Sequence, residues 1–408
     1  MKGIVILCAA IAVSIGCPAQ EALWSGAGPM ASPQVNEDMT VTFRYVSPTA
    51  KTVEVTGDFL PRKKVVTDHG TFEAPGSAAM VKGSDGVWSF TTEPLSPELY
   101  LYNFVVDSTQ VLDPLNIYVN RDITSLTNLL LVPGENSAPY DENLDIKHGT
   151  VSKIWYTSEG LGKERRLTVY TPAGYEQSEK NYPVLYLLHG MGGDENAWLE
   201  NGRMAQIMDY LIAKGLAEPM IVVAPNGNPN MSISPAERSL LVSAPNMNEF
   251  RVVDGSFETA FPEIVEFVDT TYRTIPDKTH RAIAGLSMGG FHSLTISKEY
   301  PELFDYIGLF SAATYRALGE EGFIKPEAPE VYSDYEAKLK KQFAEKPALY
   351  WIGIGSEDFL YDSNVEYRKM LDKEGYPYEY YESEGGHTWR NWRNYLKIFA
   401  PKLFKIKN

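Results

Sequence analysis

Cysteine is almost absent from this chain. The 408 residues include two cysteines, Cys8 and Cys17, and both lie in the first 17 residues. If this N-terminal segment is removed on export, the mature chain contains no disulfide and depends on its hydrophobic core for stability. A chain of this length can bury a core of considerable size, and it exceeds the usual length of one domain.

Positive charge is also scarce. The chain has 37 Lys and Arg residues against 53 Asp and Glu residues, a formal net charge of −16. Nucleic acids and anionic lipid surfaces repel a protein of this charge, which argues against both as partners and favours neutral substrates.

Apolar runs long enough to suggest export or anchoring occur only at the N-terminus. Met1 and Lys2 precede the run GIVILCAAIAVSIG and the small residues of CPAQ. This pattern is typical of a secretory signal peptide over residues 1–19, with cleavage after Ala19, and no later run is predicted to span a membrane. The alternative is lipidation of Cys17, because SIGC partly resembles a lipobox. Either interpretation predicts an exported bacterial protein.

The region from residue 28 to residue 133 alternates apolar and polar residues with a period of two. Such alternation predicts strands with one buried face, and turn-forming residues separate the runs. We therefore predict a small all-β sandwich. The runs are TVTFRYV, KTVEVTGDF, GVWSFTT and YLYNFVVD.

Residues 134–145 are polar, contain Pro and Gly, and are predicted to form a linker. From residue 146 to residue 408, near-continuous apolar runs alternate with helix-like segments. These runs suit strands buried on both faces, so we predict a doubly wound, mostly parallel α/β sheet. A charged insertion at 313–347 contains YSDYEAKLKKQFAEK and is predicted to form a surface helix.

A possible nucleophile lies in the stretch AGLSMGG, where Ser287 stands between Gly285 and Gly289. The G-x-S-x-G pattern alone is weak, but here a strand-like run precedes it and a helix-like run follows it. Strand, sharp turn and helix are the setting of a nucleophile elbow, in which bulky neighbours would clash with the strained serine. An ordinary loop serine is the alternative.

A serine hydroxyl needs a base to remove its proton. In α/β hydrolases the order along the chain is Ser, then Asp or Glu, then His. Only His292 and His387 follow Ser287, and His292 lies five residues on, in the same predicted helix. His387, in the loop GGHTW, is therefore the predicted base, with a solvent-exposed loop histidine as the alternative.

The acid should follow the strand before that loop. The run ALYWIGIGSEDF offers Glu357 and Asp358 at its end, and Asp362 is a more distant candidate. Spacing alone does not choose between adjacent carboxylates, one of which is expected to be solvated or to cap the next helix.

Two N–H donors are needed for the tetrahedral oxyanion. One is expected from the backbone of Met288, the residue after the nucleophile. The glycine-rich turn in LLHGMGGDENAW is expected to supply the other from Met191, unless it is a plain tight turn.

The C-terminal region resembles carbohydrate esterase family 1, which contains feruloyl and acetylxylan esterases. The matching motifs are YLLHGMGGDENAW, APNGN, RAIAGLSMGGFHSL, FDYIGLFSAA, GIGSEDF and EGGHTWRNWR, and their order covers nearly all of residues 146–408. The resemblance implies an α/β-hydrolase fold with Ser287 as nucleophile, His387 as base and Asp358, rather than Glu357, as acid.

The same resemblance places the oxyanion donors at Met191 and Met288. Trp198, Trp389 and Trp392 lie in or beside its motifs and are candidates for an aromatic acyl pocket. Trp389 and Trp392 are three residues apart on one helix face, which favours packing over ligand contact.

The N-terminal region resembles a carbohydrate-binding module of family 48, with an immunoglobulin-like fold, in TVTFRYVSPTAKTVEVTGDF, DGVWSFTT and LYLYNFVVDSTQVLDP. Trp88, Tyr100 and Tyr102 fit the core of such a domain better than a sugar-binding surface.

Together these features predict an exported serine esterase that removes feruloyl or related hydroxycinnamoyl groups from a plant cell-wall polysaccharide such as arabinoxylan. No metal or cofactor is implied, because neither a Cys/His ligand cluster nor a phosphate-binding glycine loop occurs. The alternatives are an acetyl esterase, an acyltransferase that passes the acyl group to a sugar, and a carbohydrate-binding protein with a silent hydrolase domain.

Overall fold

The structure is a computed structural model that describes residues 30–67, 70–122, 125–142, 144–237, 253–314 and 330–405. The predicted signal peptide at 1–19 and the alternative lipid site at Cys17 lie outside the described residues, as do residues 315–329 of the charged insertion.

The described residues up to Val132 form antiparallel strands only. One sheet has the order β1-β2-β8-β7, a second has the order β11-β12-β9-β3-β6 with β10 paired to β9, and β4 and β5 form a separate ribbon. The strands are β1 (Gln34–Val35), β2 (Val41–Val46), β3 (Val53–Gly57), β4 (Lys63–Thr67), β5 (Gly70–Ala74), β6 (Gly76–Ala79), β7 (Val81–Lys82), β8 (Val87–Thr91), β9 (Glu98–Val106), β10 (Thr109–Val111), β11 (Val119–Asp122) and β12 (Ser125–Val132).

The two larger sheets share one hydrophobic core, as the period-two pattern predicts. Val41 and Phe43 of β2 face Val55 of β3 across it, and the residues between them along each strand are more exposed. Trp88 and Tyr102 lie in the same core. The predicted all-β sandwich is therefore confirmed, and these aromatic side chains pack inside it.

The second part of the chain forms one eight-stranded sheet with the order β13-β14-β16-β15-β17-β18-β19-β20. Only the pairs β13/β14 and β14/β16 are antiparallel. The sequence patterns did not predict β13 and β14, the two antiparallel strands at one edge. The strands are β13 (Thr150–Ser158), β14 (Lys163–Thr171), β15 (Val184–Leu188), β16 (Ile221–Pro225), β17 (Arg281–Leu286), β18 (Tyr306–Phe310), β19 (Leu349–Gly355) and β20 (Glu379–Ser383).

Helices cover both faces of this sheet. Alternate residues of a central strand enter different cores: Leu185 and Leu187 of β15 pack on one side, and Val184 and Tyr186 on the other. This two-sided burial explains the continuous apolar runs and confirms the predicted doubly wound α/β sheet. The described helices are α1 (Ala197–Glu200), α2 (Met204–Ala213), α3 (Ser256–Thr271), α4 (Met288–Glu299), α5 (Tyr335–Ala344), α6 (Tyr361–Glu374) and α7 (Trp389–Phe399). Of these, α5 is the helix expected in the charged insertion.

The sandwich and the α/β part share apolar contacts. Leu99 of β9 and Tyr140, which lies in the predicted linker, belong to the hydrophobic core that includes α2 and α7. The buried guanidinium of Arg393 in α7 donates to the Leu99 carbonyl at 2.8 Å and to the Asn201 carbonyl at 3.1 Å. Residues of the linker segment therefore help to fasten the two parts together.

Candidate active site

Ser287 stands at a sharp turn between β17 and α4. Its backbone angles, φ 54° and ψ −115°, lie in a region that residues with a Cβ rarely adopt. Its N–H donates to the Phe310 carbonyl at 2.9 Å, and its carbonyl accepts from Phe291 N–H at 3.1 Å and from Ala313 N–H at 3.0 Å. Contacts from two segments, α4 and the end of β18 with the residues after it, thus hold the serine in its strained conformation.

Glycines make this turn sterically feasible. A Cβ on Gly289 would lie 2.4 Å from the His189 carbonyl oxygen, and one on Gly285 would lie 2.3 Å from the Gly289 carbonyl oxygen. Both obstacles are backbone atoms, so neither clash could be relieved by a side-chain rotation. The G-x-S-x-G spacing is therefore a packing requirement of this elbow.

His387 and Asp358 form a hydrogen-bonded pair. His387 Nδ1 lies 3.0 Å and 2.9 Å from the two carboxylate oxygens of Asp358. The Asp358 side chain is fully buried and that of His387 is 17% exposed. Because a carboxylate accepts, Nδ1 carries the proton and Nε2 keeps its lone pair. The other candidates, Glu357 and Asp362, are both exposed.

The three predicted residues lie together at the carboxyl ends of the parallel strands, which form one edge of the sheet. Ser287, Asp358 and His387 follow the parallel strands β17, β19 and β20, whose carboxyl ends point the same way. Within the described part of the chain, the Ser287 hydroxyl has no hydrogen-bond partner, so the serine and histidine share this edge without a bond between them. Such bonds are often loose in enzymes without substrate.

A tight turn lies directly against the serine. Gly193 N–H donates to the Gly190 carbonyl at 3.1 Å, and Gly192 has a φ of 85°, as the third residue of a type II turn requires. A Cβ on Gly190 would be 3.2 Å from Ser287 Cβ. Met191 is the second residue of this turn, so the structure places the expected donor loop beside the elbow.

Met288 begins α4, where backbone N–H groups have no acceptor within the helix. The positive end of the helix dipole is also directed at this point. The side chain of Met191 packs against the apolar group that contains Met288 and Phe291. Packing therefore fixes both segments that are expected to supply oxyanion donors.

His189 holds the Gly190–Gly193 turn through a hydrogen bond to Gly190, a role that the sequence patterns did not predict. Its Nε2 accepts from Gly227 N–H at 2.8 Å, so Nδ1 carries the proton and donates to the Gly190 carbonyl at 2.7 Å. Burial lowers the pKa of His189 to about 4. The imidazole is therefore neutral at pH 7 and links the loop of Gly190 to the loop of Gly227 by two hydrogen bonds.

The expected pocket role of Trp198 does not fit its placement. Trp198 is fully buried, and its indole N–H donates to the Leu188 carbonyl at 2.9 Å. Its ring packs edge-on against Trp389 at a centroid distance of 5.4 Å. Trp389 is buried in the same core, so both residues pack there and do not present a face to a ligand. Trp392 packs edge-on against the His387 ring at 4.9 Å.

Phe359 is an exposed aromatic residue that the sequence did not single out. Its ring centroid lies 4.5 Å from that of His387, and the residue is 64% exposed. Single exposed apolar side chains are common on protein surfaces, and it is the position beside the candidate base that distinguishes Phe359. Its position directly after Asp358 was the only available signal.

The described residues contain no group of three His, Cys, Asp or Glu side chains placed to hold a metal ion. They also contain no helix long and apolar enough to cross a membrane.

A mostly parallel sheet with a serine on a strained strand-to-helix turn defines the α/β-hydrolase fold. The family model described as "Putative esterase" matches residues 158–402, more than half of the chain. The chain therefore belongs to this esterase family.

Among curated proteins, the chain is similar to an endo-1,4-beta-xylanase/feruloyl esterase of Xylanibacter ruminicola. The two are 30% identical over 380 residues, which cover 91% of this chain and 46% of that protein. The chain thus spans about half the length of this relative.

Solved structures show the same fold. A CE1 ferulic acid esterase from the anaerobic fungus Anaeromyces mucronatus matches with a TM-score of 0.52 and 24% identity, over 65% of this chain and 95% of the other. The enterobactin esterase of Shigella flexneri matches with a TM-score of 0.59 and 17% identity, over 91% of this chain and 95% of the other. The second similarity includes the sandwich as well as the α/β part.

Proposed function

We propose that the protein is an exported serine esterase that removes feruloyl or related hydroxycinnamoyl groups from a plant cell-wall polysaccharide such as arabinoxylan. The observation that carries the proposal is the buried Asp358 carboxylate bonded to His387 at the sheet edge that also holds the strained Ser287. Membership of the esterase family supports ester hydrolysis. The feruloyl esterase named among its relatives supports the acyl group and the xylan-type substrate.

In the first half-reaction, Ser287 Oγ attacks the ester carbonyl while its proton passes to His387 Nε2. Asp358 holds the ring in the Nδ1–H tautomer and stabilises the imidazolium that forms. The carbonyl oxygen becomes an oxyanion and accepts from the N–H groups of Met288 and Met191. Collapse of this intermediate breaks the bond to the sugar oxygen, which takes the proton from His387 Nε2.

In the second half-reaction, water attacks the acyl group on Ser287, and its proton passes to His387 Nε2. The same two N–H groups hold the second oxyanion. Its collapse releases the free acid and returns the proton to the Ser287 oxygen, so no cofactor is consumed.

Phe359 supports an aromatic acyl or sugar-linked group as the substrate. Its exposed ring lies beside His387, where either side of the scissile ester would pass. Aromatic rings pack against one another and against the apolar faces of sugars. In this proposal Phe359 contributes to substrate binding and takes no part in proton transfer.

The test is kcat/KM of the mature chain on methyl ferulate and on 4-nitrophenyl acetate, with Ser287→Ala as control. We expect turnover of methyl ferulate that Ser287→Ala abolishes, since its hydroxyl forms the acyl-enzyme. Turnover of the acetate alone would instead indicate an acetyl esterase. Acyl transfer to an added sugar in preference to water would indicate an acyltransferase, and turnover of neither ester would overturn the proposal.

A second variant tests the acid. Asp358→Asn keeps the shape of the side chain but favours the wrong tautomer of His387, a change that costs about 10⁴ in kcat in a serine protease triad. We expect a loss of about 10²–10⁴ in kcat. Glu357→Gln is the matched control next to it, because Glu357 is exposed whereas the Asp358 carboxylate is buried and bonded to His387. Equal losses in both variants would contradict the assignment.

A further inference from the structure

An arginine of the sandwich reaches the loop that carries the proposed oxyanion donor. Arg121 lies in β11, and its guanidinium forms an ion pair with the carboxylate of Asp194. The side chain of Asp194 is fully buried and that of Arg121 is 14% exposed. Asp194 follows Gly193 directly and stands three residues after Met191.

The Asp194 carboxylate connects three separate segments. One oxygen accepts from the Asn196 N–H at 2.9 Å, and the other accepts from the Ser234 hydroxyl at 2.8 Å as well as from Arg121. Its backbone carbonyl accepts from Ala197 N–H at 3.0 Å, where α1 begins. The carboxylate therefore fixes the end of the Gly190–Gly193 turn against the start of α1.

Two further bonds hold β11 along the far end of α1. Asn120 Nδ2 donates to the Glu200 carbonyl at 3.0 Å, and Asn201 Nδ2 donates to the Arg121 carbonyl at 2.8 Å. The strand is therefore clamped at both ends of this short helix. A shift of β11 would be transmitted to the turn that precedes α1.

The buried carboxylate of Asp194 needs a partner of opposite charge, and Arg121 supplies it. Glu195, the next residue, is also buried, and burial together with the charge of Asp194 raises its pKa. A buried carboxylate that loses its partner is strongly destabilised and moves toward water. Glu195 keeps its own ion pair with Arg166 at 2.8 Å, so loss of Arg121 would act on the buried Asp194 carboxylate, three residues after Met191.

We propose that Arg121 is a positioning residue of the esterase: through Asp194, the sandwich holds the Gly190–Gly193 turn in the geometry that oxyanion binding needs. The inference rests on the proposed function, because Met191 matters only if its N–H receives an oxyanion. Oxyanion donors must be held to within about 0.5 Å to be effective. Arg121 thus contributes to catalysis through Asp194 and not through contact with the substrate.

The test uses the full chain with Arg121→Met, the conservative variant Arg121→Lys, and the matched control Arg44→Met. Arg44 also belongs to the sandwich, but its guanidinium donates to the Ala31 carbonyl and to Gln34 within it, both at 2.9 Å. The assays are kcat and KM on methyl ferulate, and the inhibition constants of phenylboronic acid and of ferulate. A boronic acid adds to the serine and mimics the tetrahedral oxyanion, whereas ferulate mimics the product.

We expect kcat of Arg121→Met to fall by about tenfold or more, but by less than the 10²–10³ of an absent donor. Affinity for phenylboronic acid should fall by the same factor and affinity for ferulate by less than about twofold. Arg121→Lys should recover part of kcat, and Arg44→Met should match the unsubstituted chain. Unchanged kcat, or equal losses of affinity for both inhibitors, would overturn the inference.

Hydrogen exchange separates this inference from the proposed function. Amides of residues 190–196 should exchange faster in Arg121→Met than in Arg44→Met, whether or not the chain hydrolyses ferulate. Equal exchange refutes the inference even if the unsubstituted chain is active. An inactive unsubstituted chain in which exchange still differs refutes the proposed function, and with it the catalytic role of Arg121, but not the link between Arg121 and the turn. If Arg121→Met does not fold, the charge-matched pair Arg121→Met with Asp194→Asn replaces it, and wild-type kcat in that pair overturns the inference.

Discussion

Replacing the proposed nucleophile with glycine should make the protein more stable. Ser287 is held at φ 54° and ψ −115°. For glycine, which has no Cβ, these angles are the mirror image of an ordinary extended conformation and cost nothing sterically. Ser287→Ala keeps the Cβ and therefore keeps the strain. The two variants remove the same hydroxyl and differ by one methyl group, which determines the backbone strain and the flexibility of the unfolded chain.

The expected gain follows from two opposing terms. A residue held in such a region costs about 1–3 kcal/mol, which the glycine variant recovers. The extra freedom of glycine in the unfolded chain takes back about 0.5–1 kcal/mol. The free energy of unfolding of Ser287→Gly should therefore exceed that of Ser287→Ala by about 1 kcal/mol and by no more than about 2.5 kcal/mol. This corresponds to a few degrees in melting temperature at about 2–4 °C per kcal/mol.

Calorimetry of the three chains at one heating rate measures this difference, and assays on methyl ferulate confirm that both variants are inactive. A glycine variant that melts at or below the alanine variant would refute the argument that the elbow stores strain. Equal melting of Ser287→Ala and the unsubstituted chain would show that the hydroxyl itself adds little stability.

Three other predictions concern buried residues of the α/β part: His189, Gly289, and Lys298 near the end of α4. Burial lowers the pKa of His189 to about 4, so as the pH is lowered from about 6.5 to 4 the unfolded chain takes up a proton that the folded chain does not. The free energy of unfolding, measured by urea denaturation, should therefore fall with decreasing pH by up to about 1.4 kcal/mol per pH unit. The fall should be less steep in His189→Gln. Burial lowers the pKa of Lys298 from 10.5 to about 7, so the same measurement should show stability rising from about pH 7 toward pH 10.5, and Lys298→Met should flatten that rise. Gly289→Ala should lower the melting temperature and kcat together, because its Cβ would lie 2.4 Å and 2.5 Å from two backbone oxygens.

The parts that sequence could predict are those with local requirements. The elbow needs a strand, two glycines around Ser287 and a helix within one short stretch, and all of these can be recognised in the sequence. The continuous apolar runs likewise record that both faces of a strand are buried. The edge strand β13 escaped prediction because charged and apolar residues mix along it, as an edge in contact with water allows. Its neighbour β14 is mostly buried but begins with the charged run KERR, which conceals it from a search for apolar runs.

The choice between neighbouring side chains needed more than spacing. Glu357 and Asp358 are adjacent, and only the path of the chain after β19 turns one outward and the other toward His387. The resemblance to a family made this choice where the pattern did not. Trp198 shows the opposite case, since its place in a motif suggested a pocket while its burial and hydrogen bond fix it in the core.

Contacts between segments far apart in the chain could not be predicted from the sequence. A pattern indicates which face of an element is buried but does not identify what covers it. The pairing of Arg121 with Asp194, and the burial of Tyr140 in the predicted linker, became apparent only from the structure.

The burial of Tyr140 has a practical consequence for anyone who shortens the chain. Arg393 lies over the Tyr140 ring at 5.2 Å while it donates to the Leu99 carbonyl. A fragment that begins at residue 146 would leave this guanidinium without one of its acceptors and expose an apolar surface of α7 to water. Such a fragment should aggregate. A fusion protein made from this chain should therefore include the sandwich, the linker segment and the α/β part together.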